Sequence, residues 1–172
     1  QPPARIPARP NYYSNLLLQL STDGQNAGTL RVPIRVKNPQ LESEVQFRTS
    51  GLTIAQQEGT LYAVTCQFQN TGSVHLQPMA RLIVSSAKGQ EVTEAMLTSG
   101  KERVLPMGTP TYSGVVDLGS LAIGNYLLTA FFDANEKSAS AVTTIQVTKP
   151  EDGPRTVTVI DESALPAVKS VE

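Results

Sequence analysis

One alternating segment, which starts at Leu61, constrains the fold of this chain more than any other feature. Tyr62, Val64, Cys66 and Phe68 share one apolar side, whereas Thr65, Gln67 and Gln69 share the other. A period of two is typical of a strand that buries one side and shows the other to solvent, as strands of antiparallel sheets do. The segment runs into Asn70-Thr71-Gly72, whose residue types favour a turn. The sequence therefore predicts an antiparallel strand that ends in a turn.

Short apolar or alternating segments, separated by turn residues, continue along the rest of the chain. The 172 residues include 12 glycines and 12 prolines, which break the pattern repeatedly, and no amphipathic helix of useful length is present. We expect an all-β protein in which residues 74–85 pair with the strand at 61–68 across the turn. The other expected strands lie at 15–20, 30–37, 44–49, 92–97, 112–118, 126–132, 140–147 and 155–160.

A tyrosine and a cysteine make the expected architecture more specific. In immunoglobulin-like sandwiches a tyrosine near the start of the sixth strand donates a hydrogen bond to the backbone a few residues upstream, and Tyr126 stands at such a corner. A cysteine two residues after that tyrosine pairs with one in the second strand of antibody domains, but here the position is Leu128. Cys66, the single cysteine, is therefore predicted to be a small buried apolar residue.

Three segments occur in an order that resembles a known group of domains. They are residues 70–78, residues 104–109 and the Leu121-Ala122-Ile123-Gly124-Asn125-Tyr126 corner. The chain resembles the immunoglobulin-like domains of bacterial extracytoplasmic proteins related to periplasmic pilus-assembly chaperones and cell-surface binding proteins, over roughly residues 30–148. The resemblance implies an antiparallel β-sandwich of about seven strands. Met107 departs from the pattern, because a glycine commonly follows this Leu-Pro, and we expect no complete first domain before residue 30 and so no two-domain chaperone cleft.

The patterns divide the chain into four segments. Residues 1–14 hold four prolines and are expected to form an extended, unpaired leader. Residues 15–51 form an N-terminal β segment, residues 52–148 the sandwich, and residues 149–172 a C-terminal extension. Within the β segment Leu30, Val32, Ile34 and Val36 share one side. Pro33 lies on the other side and cannot donate to a ladder, which indicates an edge strand.

Charge and hydropathy exclude several classes of partner. The formal net charge is −1 with both signs scattered, so we expect no binding to nucleic acid. No apolar run approaches the roughly 20 residues of a membrane-spanning helix, and we expect no membrane insertion. A chain that begins at Gln1 fits a mature product whose export signal has been removed. We therefore expect a periplasmic or cell-surface location.

The residues that usually carry chemistry form no recognisable site. His75 is the single histidine and is expected to contact backbone groups at the start of a strand. The segment Asp133-Ala134-Asn135-Glu136 lacks the glycine and distal glutamate of a calcium loop and is interpreted as a hairpin tip, with weak calcium binding as the alternative. No nucleophile–base pair, acid pair or phosphate loop is evident. We expect no enzyme activity and no cofactor.

A second class of function remains open, namely that of a carbohydrate- or host-binding adhesin. Sugar sites usually contain aromatic platforms, and this chain has no tryptophan. Tyr12, Tyr13 and Tyr112 are expected to be available for such a role, with Tyr112 as the residue to test.

Protein–protein contact is the function that these patterns favour most. Sheet edges readily accept an added strand, and both ends of the chain hold extended or alternating segments. The segment at 155–160 either adds to its own sheet, or is disordered, or is donated to another subunit. We expect a non-catalytic assembly or structural module of a bacterial envelope or appendage, with a pilus-chaperone-like subunit binder as a further alternative. Its partners would be protein subunits of that assembly, including a second copy of itself. The candidate interaction residues are Arg5, Arg9, Tyr12, Tyr13, Thr156, Val157, Val159 and Ile160.

Overall fold

The computed structural model describes residues 8–22, 25–150, 153 and 155–160. These residues form ten β-strands and no helix, and every strand pairing is antiparallel. The prediction of an all-β protein is confirmed. In chain order the strands are β1 (Asn11–Thr22), β2 (Gln25–Lys37), β3 (Phe47–Glu58), β4 (Leu61–Asn70), β5 (Met79–Ser86), β6 (Glu91–Leu97), β7 (Thr111–Asp117), β8 (Gly124–Ala134), β9 (Lys137–Thr148) and β10 (Thr156–Ile160).

Eight of these ten strands form a sandwich of two sheets. One sheet has the order β3-β4-β7 and the other the order β10-β9-β8-β5-β6. The sheets share one apolar core, since the buried residues of both belong to a single cluster. The remaining strands, β1 and β2, pair only with each other and form a separate two-stranded hairpin.

The core is built by alternation, as the sequence of β4 predicts. Tyr62, Val64, Cys66 and Phe68 are all buried, and Phe68 meets Phe132 of the opposite sheet with ring centroids 5.5 Å apart. Tyr112 of β7 packs edge-on against Phe132 at 5.1 Å. Burial also raises the pKa of the Cys66 thiol, as expected for a residue that packs as a small apolar group.

The predicted pairing of residues 74–85 with β4 is wrong. β4 pairs with β3 and β7, whereas β5 pairs with β6 and β8 in the other sheet. The turn after β4 does not close a hairpin, because the amides of Thr71 and Gly72 both donate to the carbonyl of Gln46. Leu76 then bridges to Val104, and the chain crosses between the sheets before β5 begins.

The corner before β8 has the hydrogen bond that the sequence predicts. The Tyr126 hydroxyl donates to the carbonyl oxygen of Ala122 at 3.1 Å. At the far end of β8 the chain turns sharply through Asn135 and Glu136, whose φ angles are 48° and 65°. Two consecutive positive φ values match the twist of a tight hairpin, so the Asp133–Glu136 segment joins β8 directly to β9.

Two segment boundaries lie earlier than the sequence pattern suggests. β1 begins at Asn11, so residues 11–14 are paired and are not part of an unpaired leader, because Tyr12 faces Val36 and Ser14 faces Ile34 in the ladder. β3 begins at Phe47, so the sandwich starts before residue 52. The other predictions for residues 1–7 and 161–172 concern positions outside the described residues.

Candidate protein-binding surface

The hairpin of β1 and β2, called the arm below, is long and stands outside both sheets of the sandwich. Twelve residue pairs connect its strands, from Asn11↔Lys37 at the base to Thr22↔Gln25 at the tip, with a register shift between Leu20 and Ser21. At about 3.4 Å per residue the arm extends for about 40 Å. The described residues include no third strand beside it.

One side of the arm, called the apolar arm face, is almost entirely aliphatic. Strand alternation and the register place the pairs Leu16↔Val32 and Leu18↔Leu30 on this side. Leu16 is 46% exposed and Leu18 41%, although core residues of the same type in the sandwich are fully buried. The complete face consists of Tyr12, Ser14, Leu16, Leu18, Leu20, Gly28, Leu30, Val32, Ile34 and Val36.

The opposite side, called the polar arm face, carries the charge of the arm. Arg31, Arg35 and Lys37 lie there, and the described residues of β1 and β2 include no acidic side chain. Leu17 is the large aliphatic exception on this side and is 59% exposed. The arm is therefore an amphipathic β-ribbon with one aliphatic and one cationic side.

A set of hydrogen bonds, called the polar joint, fastens the base of the arm to the sandwich. Asn11 is 4% exposed, and its Nδ2 donates to the Ser43 hydroxyl at 3.1 Å and to the Ser73 carbonyl at 3.0 Å. Its Oδ1 accepts two hydrogen bonds from the Arg35 guanidinium, at 3.0 Å and 2.8 Å. All the polar atoms of this side chain are satisfied, which offsets the cost of burying it.

Tyr13 and His75 form a second contact of the polar joint. The Tyr13 hydroxyl accepts the backbone N–H of His75 at 2.8 Å and lies 3.4 Å from its Nδ1. The two rings also meet edge to face, with centroids 5.9 Å apart. The structure thus assigns His75 a packing and hydrogen-bonding role at the joint.

The environment of His75 predicts a pH dependence of stability. Burial lowers the pKa of His75, and the positive charges of Arg35 and Arg103 lower it further. The unfolded chain therefore binds a proton at higher pH than the folded chain does, so stability falls as pH drops through about 6.5. We expect a lower urea midpoint near pH 5.5 than near pH 7.5, and a His75→Gln variant in which this difference is smaller. Equal differences in both proteins would contradict the assignment.

A concave corner lies between the base of the arm and the loop that follows β6. Tyr12 of the apolar arm face and residues Leu105, Pro106 and Met107 line a cavity of about 530 Å³. A smaller hollow, about 210 Å³, joins Ile34 to the same Leu105. Leu105 is 49% exposed and Met107 72%, so this loop adds exposed apolar side chains beside the base of the arm.

Met107 occupies a backbone conformation that usually favours glycine. Its φ is +66°, in the left-handed region where glycine is favoured and other residues are strained. Its amide donates to the carbonyl of Asn70 at 2.9 Å, which holds the loop in this conformation. The chain therefore keeps a large apolar side chain on the surface of the corner at some cost in backbone strain.

The structure separates the predicted interaction residues into two groups. Arg9, Tyr12 and Tyr13 meet at the base of the arm, where the Arg9 amide donates to the Tyr12 hydroxyl at 2.9 Å. Arg5 lies outside the described residues. Thr156, Val157, Val159 and Ile160 belong to β10, which pairs with β9 of its own sheet, and Thr156 shares a hydrogen bond with Thr148 at 2.9 Å.

The sequence analysis did not identify the leucines of β1 as part of a surface. Leu16, Leu18 and Leu20 follow the same alternation as Leu30 to Val36, but Leu17 interrupts the apolar period and hides it. Pairing the two segments in a hairpin would have placed these side chains on one face.

The aromatic residue chosen to test carbohydrate binding is not on the surface. Tyr112 is 3% exposed and packs against Phe68 and Phe132 in the core, so the expectation that it is available for a sugar is wrong. Tyr13 faces His75 and uses its hydroxyl in the polar joint.

The described residues contain no group of three or more histidine, cysteine, aspartate or glutamate side chains arranged to hold a metal ion. Beside the turn between β8 and β9 the Asp133 carboxylate accepts a hydrogen bond from the Ser138 hydroxyl. Among the same residues no helix has the length and apolar character needed to cross a membrane.

No protein-family model matches the chain, and no curated protein sequence matches it.

Proposed function

We propose that this chain is a non-catalytic, extracytoplasmic module of a bacterial envelope or appendage assembly that works by protein–protein contact and strand addition. The observation that carries the proposal is the exposure of the apolar arm face. The extracytoplasmic location rests on the resemblance of residues 30–148 to domains of exported bacterial proteins.

The physical argument starts from the instability of an isolated hairpin. A two-stranded ribbon with no further strand and no covered face is marginal in water. Its exposed leucines and valines also form a contiguous apolar patch, which marks contact surfaces in soluble proteins. The arm is therefore a contact element whose apolar face is stabilised when a partner covers it.

The edges of the arm are not equivalent. Pro33 pairs with Asn15 and has no N–H, so it keeps the ladder intact only where its nitrogen points away from β1. We therefore assign Asn15 and Pro33 to a non-hydrogen-bonded pair, in which both nitrogens point outwards. Pro33 then removes one donor from the outer edge of β2, while the outer edge of β1 keeps all of its donors. Strand addition is favoured at β1.

This assignment provides a selective test of strand addition. An Asn15→Pro change removes an outward donor from β1 without breaking its ladder with β2, because the nitrogen of residue 15 faces outwards. The probe is a labelled synthetic peptide with the sequence of residues 25–37 and the change Pro33→Thr. The change is needed because the outer edge of β1 pairs through the backbone of residue 15, so a proline at position 33 of the peptide would turn a nitrogen without N–H towards β1. We expect it to bind the protein and the Asn15→Ala control alike, and to bind Asn15→Pro at least about tenfold more weakly in fluorescence anisotropy.

Two outcomes would contradict the proposal. One is equal binding of a scrambled peptide of the same composition, and the other is undiminished binding by Asn15→Pro. Hydrogen exchange of the β1 and β2 amides checks that the arm itself is retained in the variant.

A chaperone-like subunit binder is the second candidate, and the corner favours it. The cavity between Tyr12 and Leu105 adjoins the apolar arm face, so an extended segment lying along the arm would end in it. A module that captures subunits releases its strand when a competing strand arrives, whereas a permanent assembly contact does not. The two functions are distinguished by adding an excess of unlabelled peptide and following the bound labelled peptide over time. Displacement supports the subunit binder, and retention of the labelled peptide supports the permanent contact.

A further inference from the structure

We propose that a hollow at the base of the arm binds the phosphate group of a small phosphate monoester. The hollow has a volume of about 210 Å³, lies between the arm and the sandwich, and is called the basic hollow below. Its lining includes the side chains of Arg35, His75 and Arg103. This inference goes beyond the proposed function, because the hollow would hold a small ligand, whereas strand addition uses the backbone edge of β1.

An isolated β-bridge brings the sandwich side of the basic hollow together. Leu76 and Val104 exchange both backbone hydrogen bonds, at 2.9 Å and 2.8 Å, and both side chains are buried in the core. Successive side chains of paired extended segments point in opposite directions, so the neighbours of these two residues turn away from the core. His75, Arg103 and Leu105 therefore lie on the side of the arm, where all three line the hollow.

Arg35 comes from the arm, and the polar joint fixes its position. Its Nε and Nη2 donate to the Oδ1 of Asn11 at 3.0 Å and 2.8 Å. A guanidinium has further N–H groups, which remain for a ligand. Because Asn11 already holds the side chain, little conformational freedom is lost when an anion binds to it.

The cations of the basic hollow have no counter-charge among the described residues. No aspartate or glutamate of that part of the chain lines the hollow, and Arg103 forms no hydrogen bond or ion pair with any described residue. Burial, and then the charges of Arg35 and Arg103, lower the pKa of His75. Positive groups gathered in this way repel one another, and a bound anion would relieve the repulsion.

The number and type of these groups favour a phosphate dianion over a carboxylate. Two guanidinium groups carry two fixed positive charges, and each can donate a bidentate pair of hydrogen bonds to phosphate oxygens. The Tyr13 hydroxyl accepts the His75 amide, so its own proton is directed to Nδ1, and we assign the ring proton to Nε2 as a further donor. A phosphate monoester has three terminal oxygens and about two negative charges at neutral pH, which match this set.

The apolar part of the lining favours an ester over free phosphate. Pro33 and Leu105 also line the basic hollow, and Leu105 is half exposed. An organic substituent on the phosphate would cover these side chains and remove apolar surface from water. The bound part of the ligand is small, because pockets for drug-sized molecules usually have volumes of about 300 Å³ or more.

The single histidine of the chain makes a selective test possible, because its one imidazole Hε1 resonance in proton NMR reports on the basic hollow alone. Phenyl phosphate is titrated into the protein at constant pH and ionic strength, with inorganic phosphate and phenyl sulfate as separate probes. We expect phenyl phosphate to shift the His75 resonance saturably, with a dissociation constant of about 1 mM or lower. Inorganic phosphate is expected to bind at least about threefold more weakly, and phenyl sulfate, which carries less charge, at least about tenfold more weakly.

Arg103→Gln and Arg81→Gln form a matched pair of variants. Both arginines are exposed, but Arg81 lies on β5 beside Phe131 and does not line the basic hollow. We expect Arg103→Gln to weaken the binding of phenyl phosphate at least about tenfold, and Arg81→Gln to weaken it less than about twofold. Thermal unfolding with and without phenyl phosphate gives a second measurement, since a ligand that binds only the folded chain raises the midpoint.

Several outcomes would overturn the proposal. A His75 resonance that does not respond saturably to phenyl phosphate excludes the site. Equal weakening by Arg103→Gln and Arg81→Gln would assign the effect to the overall charge of the chain. Equal binding of phenyl sulfate would exclude a site for a dianion, and equal binding of inorganic phosphate would exclude the ester. Peptide addition at the β1 edge is measured separately with Asn15→Pro, so failure of one proposal is distinguishable from failure of the other.

Discussion

An Asn70→Ala variant is expected to lose about 2–4 kcal/mol of unfolding free energy, because one buried side chain connects three parts of the sandwich. Asn70 is fully buried, and its Nδ2 donates to the carbonyls of Val74 at 2.7 Å and Val104 at 3.0 Å. Its Oδ1 accepts the amide of Gly72 at 3.1 Å. Alanine removes the side-chain donor of the Val74 carbonyl and leaves the Val104 carbonyl and the Gly72 amide with their backbone partners alone. Losing hydrogen bonds to desolvated groups is costly. Urea denaturation monitored by circular dichroism measures the loss.

Asn125→Ala is the matched control for this variant. Asn125 lies on β8 with its side chain exposed, so its removal is expected to change stability by less than about 0.5 kcal/mol. Equal urea midpoints for the two variants would show that the hydrogen bonds of Asn70 do not stabilise the fold.

Phe132→Ala is expected to be the most destabilising single change, at about 3–5 kcal/mol. Phe132 is fully buried between the sheets and contacts the rings of Phe68 and Tyr112. Truncation leaves a cavity where close-packed rings stood, and the two sheets cannot collapse freely around it. A loss of this size is comparable with the whole stability of a marginal domain.

The adjacent phenylalanine provides the comparison. Phe131 lies on the outer side of β8, where Arg81 sits 5.6 Å from its ring centroid. Phe131→Ala is expected to cost about 1 kcal/mol or less. If Phe132→Ala fails to fold, Phe132→Leu replaces it with an expected loss smaller than that of alanine. Similar thermal midpoints for the Phe131 and Phe132 variants would contradict the packing described here.

Local sequence patterns were sufficient to predict the buried side of strands in which apolar and polar residues alternate without interruption. The alternation of β4 gave its buried side correctly, and the Tyr126 corner gave a specific hydrogen bond. The buried side of β7 was less predictable from the sequence, because Gly114 interrupts the alternation of its side chains. The expectation that Tyr112 is available on the surface was therefore wrong. Gly114 is needed where β7 approaches β6 closely, since a Cβ there would lie 2.5 Å from the Met96 carbonyl oxygen. That close approach depends on the packed structure and leaves no local pattern.

The candidate surface was less predictable because it depends on contacts between distant residues. Asn11 bonds to Ser73 across 62 positions of the chain, and Tyr13 bonds to His75 across the same separation. Sequence periodicity reports which side chains share a face, but it does not report what that face meets. The apolar side of residues 30–36 was therefore correctly grouped, whereas its exposure in an arm was visible only in the structure.

The polar joint has a consequence for any assembly that this chain builds. Apolar packing tolerates sliding and tilting, whereas hydrogen bonds weaken steeply when their angles change. The Asn11 side chain uses both ends of its amide group to set the direction of the arm relative to the sandwich. In the proposed assembly each subunit would therefore present the apolar arm face at a defined angle, and the geometry of the contact would already be set within the single chain.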